Sequence, residues 1–243
     1  MQIISVINQK GGVGKTTTVI NLAAGLSQQK KKILVVDLDP QGNATTGLGL
    51  SNVESSGETI YGVLNGTKTI NEVIKKTSFQ NLDIITSNVD LSGLEVETAG
   101  DSKRAFILKD QLTAYLNDSR ALYDYILIDC PPSLSLLTVM ALVSSDSLVV
   151  PLQTEFFALE GLTQLMKTIE RIKVNLNPGL KIRGILLTMY DKRNKLSSQV
   201  EKEARDYFSE KVYSTVIPRN VRLSEAPSHG MPVLIYDKSC PGS

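Results

Sequence analysis

The residues best suited to chemistry lie at the start of the chain. Lys10-Gly11-Gly12-Val13-Gly14-Lys15-Thr16-Thr17 follows the apolar run Ile3-Ile4-Ser5-Val6-Ile7-Asn8 and precedes an amphipathic stretch from Thr17 to about Gln29. Strand, glycine-rich turn and helix in that order make a phosphate-binding loop. The glycines let successive N–H groups turn inward at phosphate oxygens, and a helix starting at Lys15 adds the positive end of its dipole. Lys15 is expected to reach the β- and γ-phosphates of a nucleotide, and the Thr16 hydroxyl to sit on Mg2+. The strict pattern G-x-x-x-x-G-K-[ST] asks for glycine at position 9, where this chain has Gln9. It carries a second lysine, Lys10, at the front of the loop. Two ammonium groups would crowd each other around one triphosphate. Lys10 therefore makes sense facing a different phosphate chain, as across a dimer interface.

Three carboxylates complete the set. Tyr125-Ile126-Leu127-Ile128-Asp129 is an apolar strand ending in an acid, the form of a Walker B element, and Asp129 is expected to hold Mg2+ through a water. The prolines of Cys130-Pro131-Pro132 make a stiff segment, poor in donors, that can carry a small shift near a γ-phosphate as one unit. Asp37 and Asp39 fall on alternate positions, so their side chains oppose each other unless the strand finishes between them. Either could also cap the turn that follows.

Lys10 to Thr17, with Val35-Val36-Asp37-Leu38-Asp39-Pro40-Gln41-Gly42-Asn43, resembles the deviant Walker A ATPases, the group that includes ParA and MinD. Ile217-Pro218-Arg219-Asn220-Val221-Arg222-Leu223-Ser224-Glu225-Ala226-Pro227-Ser228-His229-Gly230 narrows the resemblance to ParA-type, Soj-like partitioning ATPases. The match runs from the first strand to about residue 238. It implies Mg2+-dependent hydrolysis of ATP, with Lys10, Lys15 and Asp39 catalytic and Asp39 orienting the attacking water. It implies nucleotide contacts from Lys10, Gly11, Gly12, Val13, Gly14, Lys15, Thr16 and Thr17, with Pro218 and Asn220 at the adenine. Thr16, Asp37 and Asp129 would serve the metal, and Arg193, Arg219 and Arg222 would touch the DNA backbone without reading its sequence. The implied partners are a second copy in the ATP state, non-specific double-stranded DNA and a ParB-type centromere-binding protein that stimulates hydrolysis. The implied place is the cytoplasm, on the nucleoid and away from the membrane. Such chains run on into a final helix, and the expectation is that residues 1–243 form one domain without it, which bears on stability and dimer packing.

The elements that must position these residues are short apolar runs, as expected of a parallel sheet covered on both faces. Strands are predicted at Gln2–Asn8, Lys32–Asp37, Leu82–Thr86, Tyr125–Asp129, Ser147–Pro151 and Ile182–Thr188. Helices are predicted at Lys15–Gln29, Ser102–Asn117, Leu134–Val143, Leu159–Asn175 and Ser197–Phe208. The alternation argues an α/β fold with a doubly wound, mostly parallel sheet, similar to the P-loop NTPases. Ligands of such sheets sit at the carboxyl ends of the strands, where Asn8, Asp37, Asp129, Pro151 and Thr188 fall. Residues 41–60, rich in Gly, Ser, Thr and Asn, read as a mobile loop and a candidate nucleotide-responsive switch.

Composition bounds the alternatives. At 243 residues, 42% apolar and 21% charged, the chain can bury a full core, and no apolar run approaches the length of a membrane span. Cys130 and Cys240 have no metal-ligand spacing, and with one histidine a zinc site has no support. Cys130 and Cys240 also do not make a plausible cluster-ligating pair, which counts against a nitrogenase-reductase-like electron-transfer ATPase. A MinD-like membrane switch needs a terminal amphipathic helix, and Tyr236 to Ser243 is short and polar. Net charge is +1 but uneven: residues 37–101 carry ten acidic and three basic residues, residues 181–222 ten basic and five acidic. A basic patch in the last third is consistent with nucleic acid, and equally with a solvated surface. Phe156 and Phe157 read as core packing beside Ala158-Leu159, and His229 as part of a turn.

Overall fold

Eight strands form one sheet in the order β3-β4-β2-β5-β1-β6-β7-β8. The computed structural model describes residues 1–50, 56–118 and 123–243. The strands are β1 Gln2–Val6, β2 Ile33–Asp37, β3 Ile74–Lys76, β4 Leu82–Ile85, β5 Tyr125–Asp129, β6 Ser147–Gln153, β7 Lys181–Tyr190 and β8 Val212–Pro218. All neighbours pair in parallel except β3, which runs antiparallel to β4 at the edge. β1 lies between β5 and β6, so the strand order turns outward in both directions from it. That is the switch point at which a doubly wound sheet opens a crevice at its carboxyl edge.

The helices in chain order are α1 Lys15–Gln28, α2 Asn43–Gly47, α3 Ile60–Leu64, α4 Ile70–Val73, α5 Leu94–Glu97, α6 Ile107–Asp118, α7 Leu136–Ser144, α8 Ala158–Asn175, α9 Lys195–Phe208, α10 Val221–Glu225 and α11 Val233–Tyr236. α1 buries Val19, Ile20, Ala23, Ala24 and Ser27, one stripe at helical spacing, against Ile4, Val6, Val35 and Leu127 of the sheet. The larger core, on the opposite face, joins Leu108 and Leu112 of α6, Met140 and Leu142 of α7, and Leu162, Leu165 and Ile169 of α8. Leu116, one turn beyond Leu112 in α6, is half-buried.

The predicted strands and helices are present with ends shifted by a few residues. Two strands escaped the sequence. β3 is three residues long and charged, as an edge strand is when it must resist pairing with a further chain. β8 is the other edge, and Tyr213, Ser214 and Thr215 interrupt the apolar run that marks a strand covered on both faces. Ser102–Asn117 is corrected at its start: a 3-10 turn at Arg104–Phe106 precedes α6. The predicted loop at 41–60 is corrected too. Residues 43–47 are helical, with Ala44, Thr45 and Gly47 buried, and Thr59 and Ile60 are wholly buried; residues 51–55 lie outside the described residues.

Candidate nucleotide site

The loop between β1 and α1 is built for close backbone approach. Gly12 (φ 74°) and Gly14 (φ 90°) adopt left-handed conformations that a β-carbon would strain, and Gly14 starts α1 with no side-chain cap. The first N–H groups of α1 are therefore free to serve an anion. Neighbouring strands pin the loop. Asn8 Nδ2 donates to the Pro151 carbonyl at 2.7 Å, and Thr188 Oγ1 donates to the Val13 carbonyl at 2.9 Å. β1, β6 and β7 thus hold one turn between them.

The two lysines go separate ways. Lys15 is 6% exposed, and its Nζ donates to the Lys10 carbonyl at 2.9 Å, across the mouth of its own loop. Burial holds its pKa down, opposed by the negative field of Asp129 and Asp39. The side chain of Lys10 is exposed on the rim, and its ammonium pairs with Glu155 just beyond β6.

The three carboxylates also divide. β2 ends at Asp37, so Asp39 lies past the strand, and the alternation that would separate the two side chains does not apply. Asp37 is wholly buried: Oδ2 accepts from Thr45 N at 2.8 Å and Thr45 Oγ1 at 2.7 Å, and Oδ1 accepts from Asp39 N at 3.2 Å. It anchors α2 and the Asp39 backbone. Expected at the metal, it accepts from these three donors and lies in register beside Asp129 of β5. Asp39 is 7% exposed and accepts from Gln41 N at 3.0 Å. Asp129 is buried with both oxygens lacking a hydrogen-bond partner among the described groups, while nearby Thr16 and Lys15 favour its charged form. A buried carboxylate without donors fits a cation. Among the described residues no three His, Cys, Asp or Glu could hold a metal between them. Thr16 and Asp129 suit Mg2+ held jointly with phosphates and water.

Burial pushes Asp37 up to about 6 and, with the Asp37 charge added, raises Asp129 well above the carboxylate range. A carboxyl whose pKa is higher folded than unfolded binds more protons in the folded state. Its effect is therefore a loss of stability as pH rises from about 4 through the folded value. For Asp37 the rise of about two units corresponds to roughly 3 kcal/mol across the whole span from the unfolded to the folded value. The part still to be lost above pH 5.5 is about 1 kcal/mol, or about 2–4 °C in melting temperature at this size. The nucleotide-free, metal-free chain is expected to melt lower at pH 7.5 than at pH 5.5, and Asp129→Asn to flatten that dependence. Scanning fluorimetry across the two pH values checks it; a variant with an unchanged slope contradicts the assignment.

Beside the loop, Gly14, Thr17, Thr18, Thr188, Pro218 and Asn220 line a cleft of about 170 Å3. The structure therefore brings the two predicted adenine contacts to the loop. Asn220 Oδ1 also caps α10 by accepting from Arg222 N at 2.8 Å. Met189, which the sequence did not single out, lines the same cleft with φ 51°, a strained value for a side-chain-bearing residue. Cys130 is buried, and its thiol is pushed up by burial and by Asp129, so it is no nucleophile.

Arg193, Arg219 and Arg222 are all exposed at the carboxyl end of β7 and β8. Arg193 makes two bonds to Asp191 at 3.0 Å, and its guanidinium, with that of Arg219, holds the Asp191 carboxyl down at about 2. Arg222 pairs with Glu225 at 2.8 Å and Asp237 at 3.4 Å. His229 stacks on Tyr236 with ring centroids 4.9 Å apart, a structural contact in keeping with its turn. Phe156 and Phe157 are corrected: at 74% and 68% exposure they are not core.

Comparison with known proteins agrees with this geometry. Residues 1–182 match the AAA_31 family, described as an AAA domain. The chain is 52% identical over 243 residues to the chromosome partitioning protein ParA of Caulobacter vibrioides, covering all of this chain and 90% of that protein. It is 50% identical over 242 residues to the sporulation initiation inhibitor protein Soj of Bacillus subtilis, covering all of this chain and 94% of that one. A Mycobacterium smegmatis structure described as cobyrinic acid a,c-diamide synthase, with a bound ATP analogue and magnesium, superposes with a TM-score of 0.82. The two are 35% identical, over 91% of this chain and 86% of that one. With about half of its residues identical to these relatives along its whole length, this chain belongs to the ParA/Soj family of chromosome-partitioning ATPases.

Proposed function

We propose that this chain is an ATP-operated switch that dimerises around bound nucleotide, grips double-stranded DNA without reading its sequence, and partitions chromosomes or plasmids. Its partner in that role is a ParB-type centromere-binding protein that stimulates hydrolysis, and its place is the cytoplasm, on the nucleoid. What carries the reading is the division between the lysines: Lys15 lies inside its own loop, while Lys10 is exposed on the rim. A phosphate-binding ammonium outside the cradle suits the nucleotide of a second copy. Among the described residues no helix is long and apolar enough to cross a membrane.

In this reading Lys15 and the N–H groups of Gly11 to Thr17 bind the phosphates, and the adenine enters the cleft beside Pro218 and Asn220. Thr16 and Asp129 would hold Mg2+, which when bound would supply charge neutralisation at the phosphates. Asp39 orients the attacking water. Asp37, through Thr45 and the Asp39 amide, keeps that carboxylate and α2 in register with the site.

The DNA surface is assigned to Arg193, Arg219 and Arg222. The guanidinium ends of the Arg193 and Arg222 pairs are exposed and their carboxylate partners partly so. Such surface pairs contribute little, so a phosphate can replace a carboxylate at small cost. One copy offers few such contacts; a nucleotide-bridged pair doubles them on one surface, and avidity follows. With about four phosphates contacted per dimer, log K against log salt is expected to fall with a slope of roughly −3.6 with ATP, and binding to be weak with ADP or no nucleotide. Arg222→Ala is expected to lose DNA binding and keep the ATP dimer. Titration of labelled duplex against salt in the three nucleotide states tests this. Equal binding in all three would count against the switch, and an unchanged Arg222→Ala would count against the basic surface.

A further inference from the structure

Several groups on the rim of the site have no part in holding a nucleotide. Glu155, Phe156 and Phe157 connect β6 to α8 at the same carboxyl edge as the phosphate loop. The two phenylalanine rings meet edge to face with centroids 4.9 Å apart, and both stand in solvent. Glu155 holds the Lys10 ammonium, so this connection touches the front of the phosphate loop. On the loop's other side, a β-carbon at Gly11 would meet Pro132 Cβ at 3.8 Å, and Leu134, two residues on, is 39% exposed. Exposed backbone at Lys10–Gly12, the Pro132–Leu134 turn and the Glu155–Phe157 connection thus form one continuous face.

Adjacent aromatics held open to water beside a charged site mark a protein contact rather than a packing defect. The charges on this face point to which protein. Each copy presents a cation, Lys10, and, with nucleotide in the loop, an anion only a few residues away. A surface carrying both is complementary to itself: about a two-fold axis, each Lys10 meets the other copy's phosphates and the phenylalanines enter the same contact. Glu155 competes for Lys10 within one copy.

We infer that Glu155-Phe156-Phe157 belongs to the face through which two ATP-loaded copies of this chain associate, with the phenylalanines as its apolar anchors and Glu155 as a holder that releases Lys10 to the second copy. This rests on the ATP-dimer reading above and adds the surface and the internal competitor.

Sedimentation velocity over a range of chain concentrations, with Mg2+ and a non-hydrolysable ATP analogue, tests it on wild type and its variants. Relative to wild type, the double variant Phe156→Ser/Phe157→Ser is expected to raise the dimer Kd at least about thirty-fold, the size of a hot-spot loss. Its affinity for nucleotide, measured on dilute monomer, is expected to stay unchanged, which also shows that it folds. Glu155→Gln is expected to lower the dimer Kd by about two- to five-fold, as fits loss of one half-exposed ion pair, and, when combined with Lys10→Ala, to be as monomeric as Lys10→Ala alone. A wild type that stays monomeric overturns the dimer reading and this face with it. A wild-type dimer left intact in the serine variant overturns the face alone and assigns the aromatics to another partner. A Glu155→Gln dimer no tighter than wild type overturns the holder.

Discussion

Lys15→Ala is expected to weaken ATP binding by two orders of magnitude or more, on the order of 3 kcal/mol, whereas Lys10→Ala leaves it nearly intact and loses the dimer. Ammonium-to-phosphate bonds are charge-assisted and here largely desolvated, which places them at the strong end of protein hydrogen bonds. Lys15 is 6% exposed and already points across the loop mouth to the Lys10 carbonyl, so little reorganisation precedes its engagement. Its removal also takes the nearest cation from Asp129, whose buried carboxylate then lacks a counter-charge until magnesium arrives. Lys10 offers the opposite case, since its ammonium sits on the rim with Glu155. Titration with a fluorescent ATP analogue separates the two. Micromolar affinity retained by Lys15→Ala would remove the loop assignment, and a normal ATP dimer from Lys10→Ala would remove the cross-subunit role.

That contrast shows what a reader of the chain alone could reach. Two lysines five residues apart around three glycines imply a phosphate loop, because few other uses exist for such backbone freedom after an apolar strand. The crowding of like charges also separates their roles without any coordinates. The direction of Asp37 was out of reach. Its commitment to Thr45 depends on α2 folding back as a helix, and that helix lies in a stretch whose Gly, Ser, Thr and Asn content reads as loop. Propensity lost there to tertiary packing, with Ala44 and Leu48 both buried. The phenylalanines failed for a related reason. An aromatic pair next to an apolar helix start has the composition of core, and only the position of β6 at the crevice shows that nothing covers them. The arginines of the last third were legible as charge, while their pairing with Asp191, Glu225 and Asp237 was not, since one partner lies fifteen residues away.

Asp39→Ala is expected to separate binding from hydrolysis: ATP affinity close to wild type, turnover reduced by about 10²- to 10⁴-fold, the range lost with a water-orienting or general-base group. The geometry confines the effect to chemistry. Asp39 lies outside the phosphate loop, and its side chain accepts one bond, from Gln41 N, while its amide donates to Asp37 and its carbonyl accepts from Gly42 N. The amide remains in the alanine variant, so Asp37, Thr45 and α2 stay in place and the site keeps its shape without its water-directing carboxylate. A dimer that cannot hydrolyse its nucleotide cannot come apart by that route, so the variant is expected to stay on DNA with ATP where wild type cycles off. The pairing of those two results is the discriminating one. Phosphate release at the wild-type rate would take Asp39 out of the reaction. Slow release with unaltered dissociation from DNA would leave Asp39 in the reaction and break the link between hydrolysis and letting go.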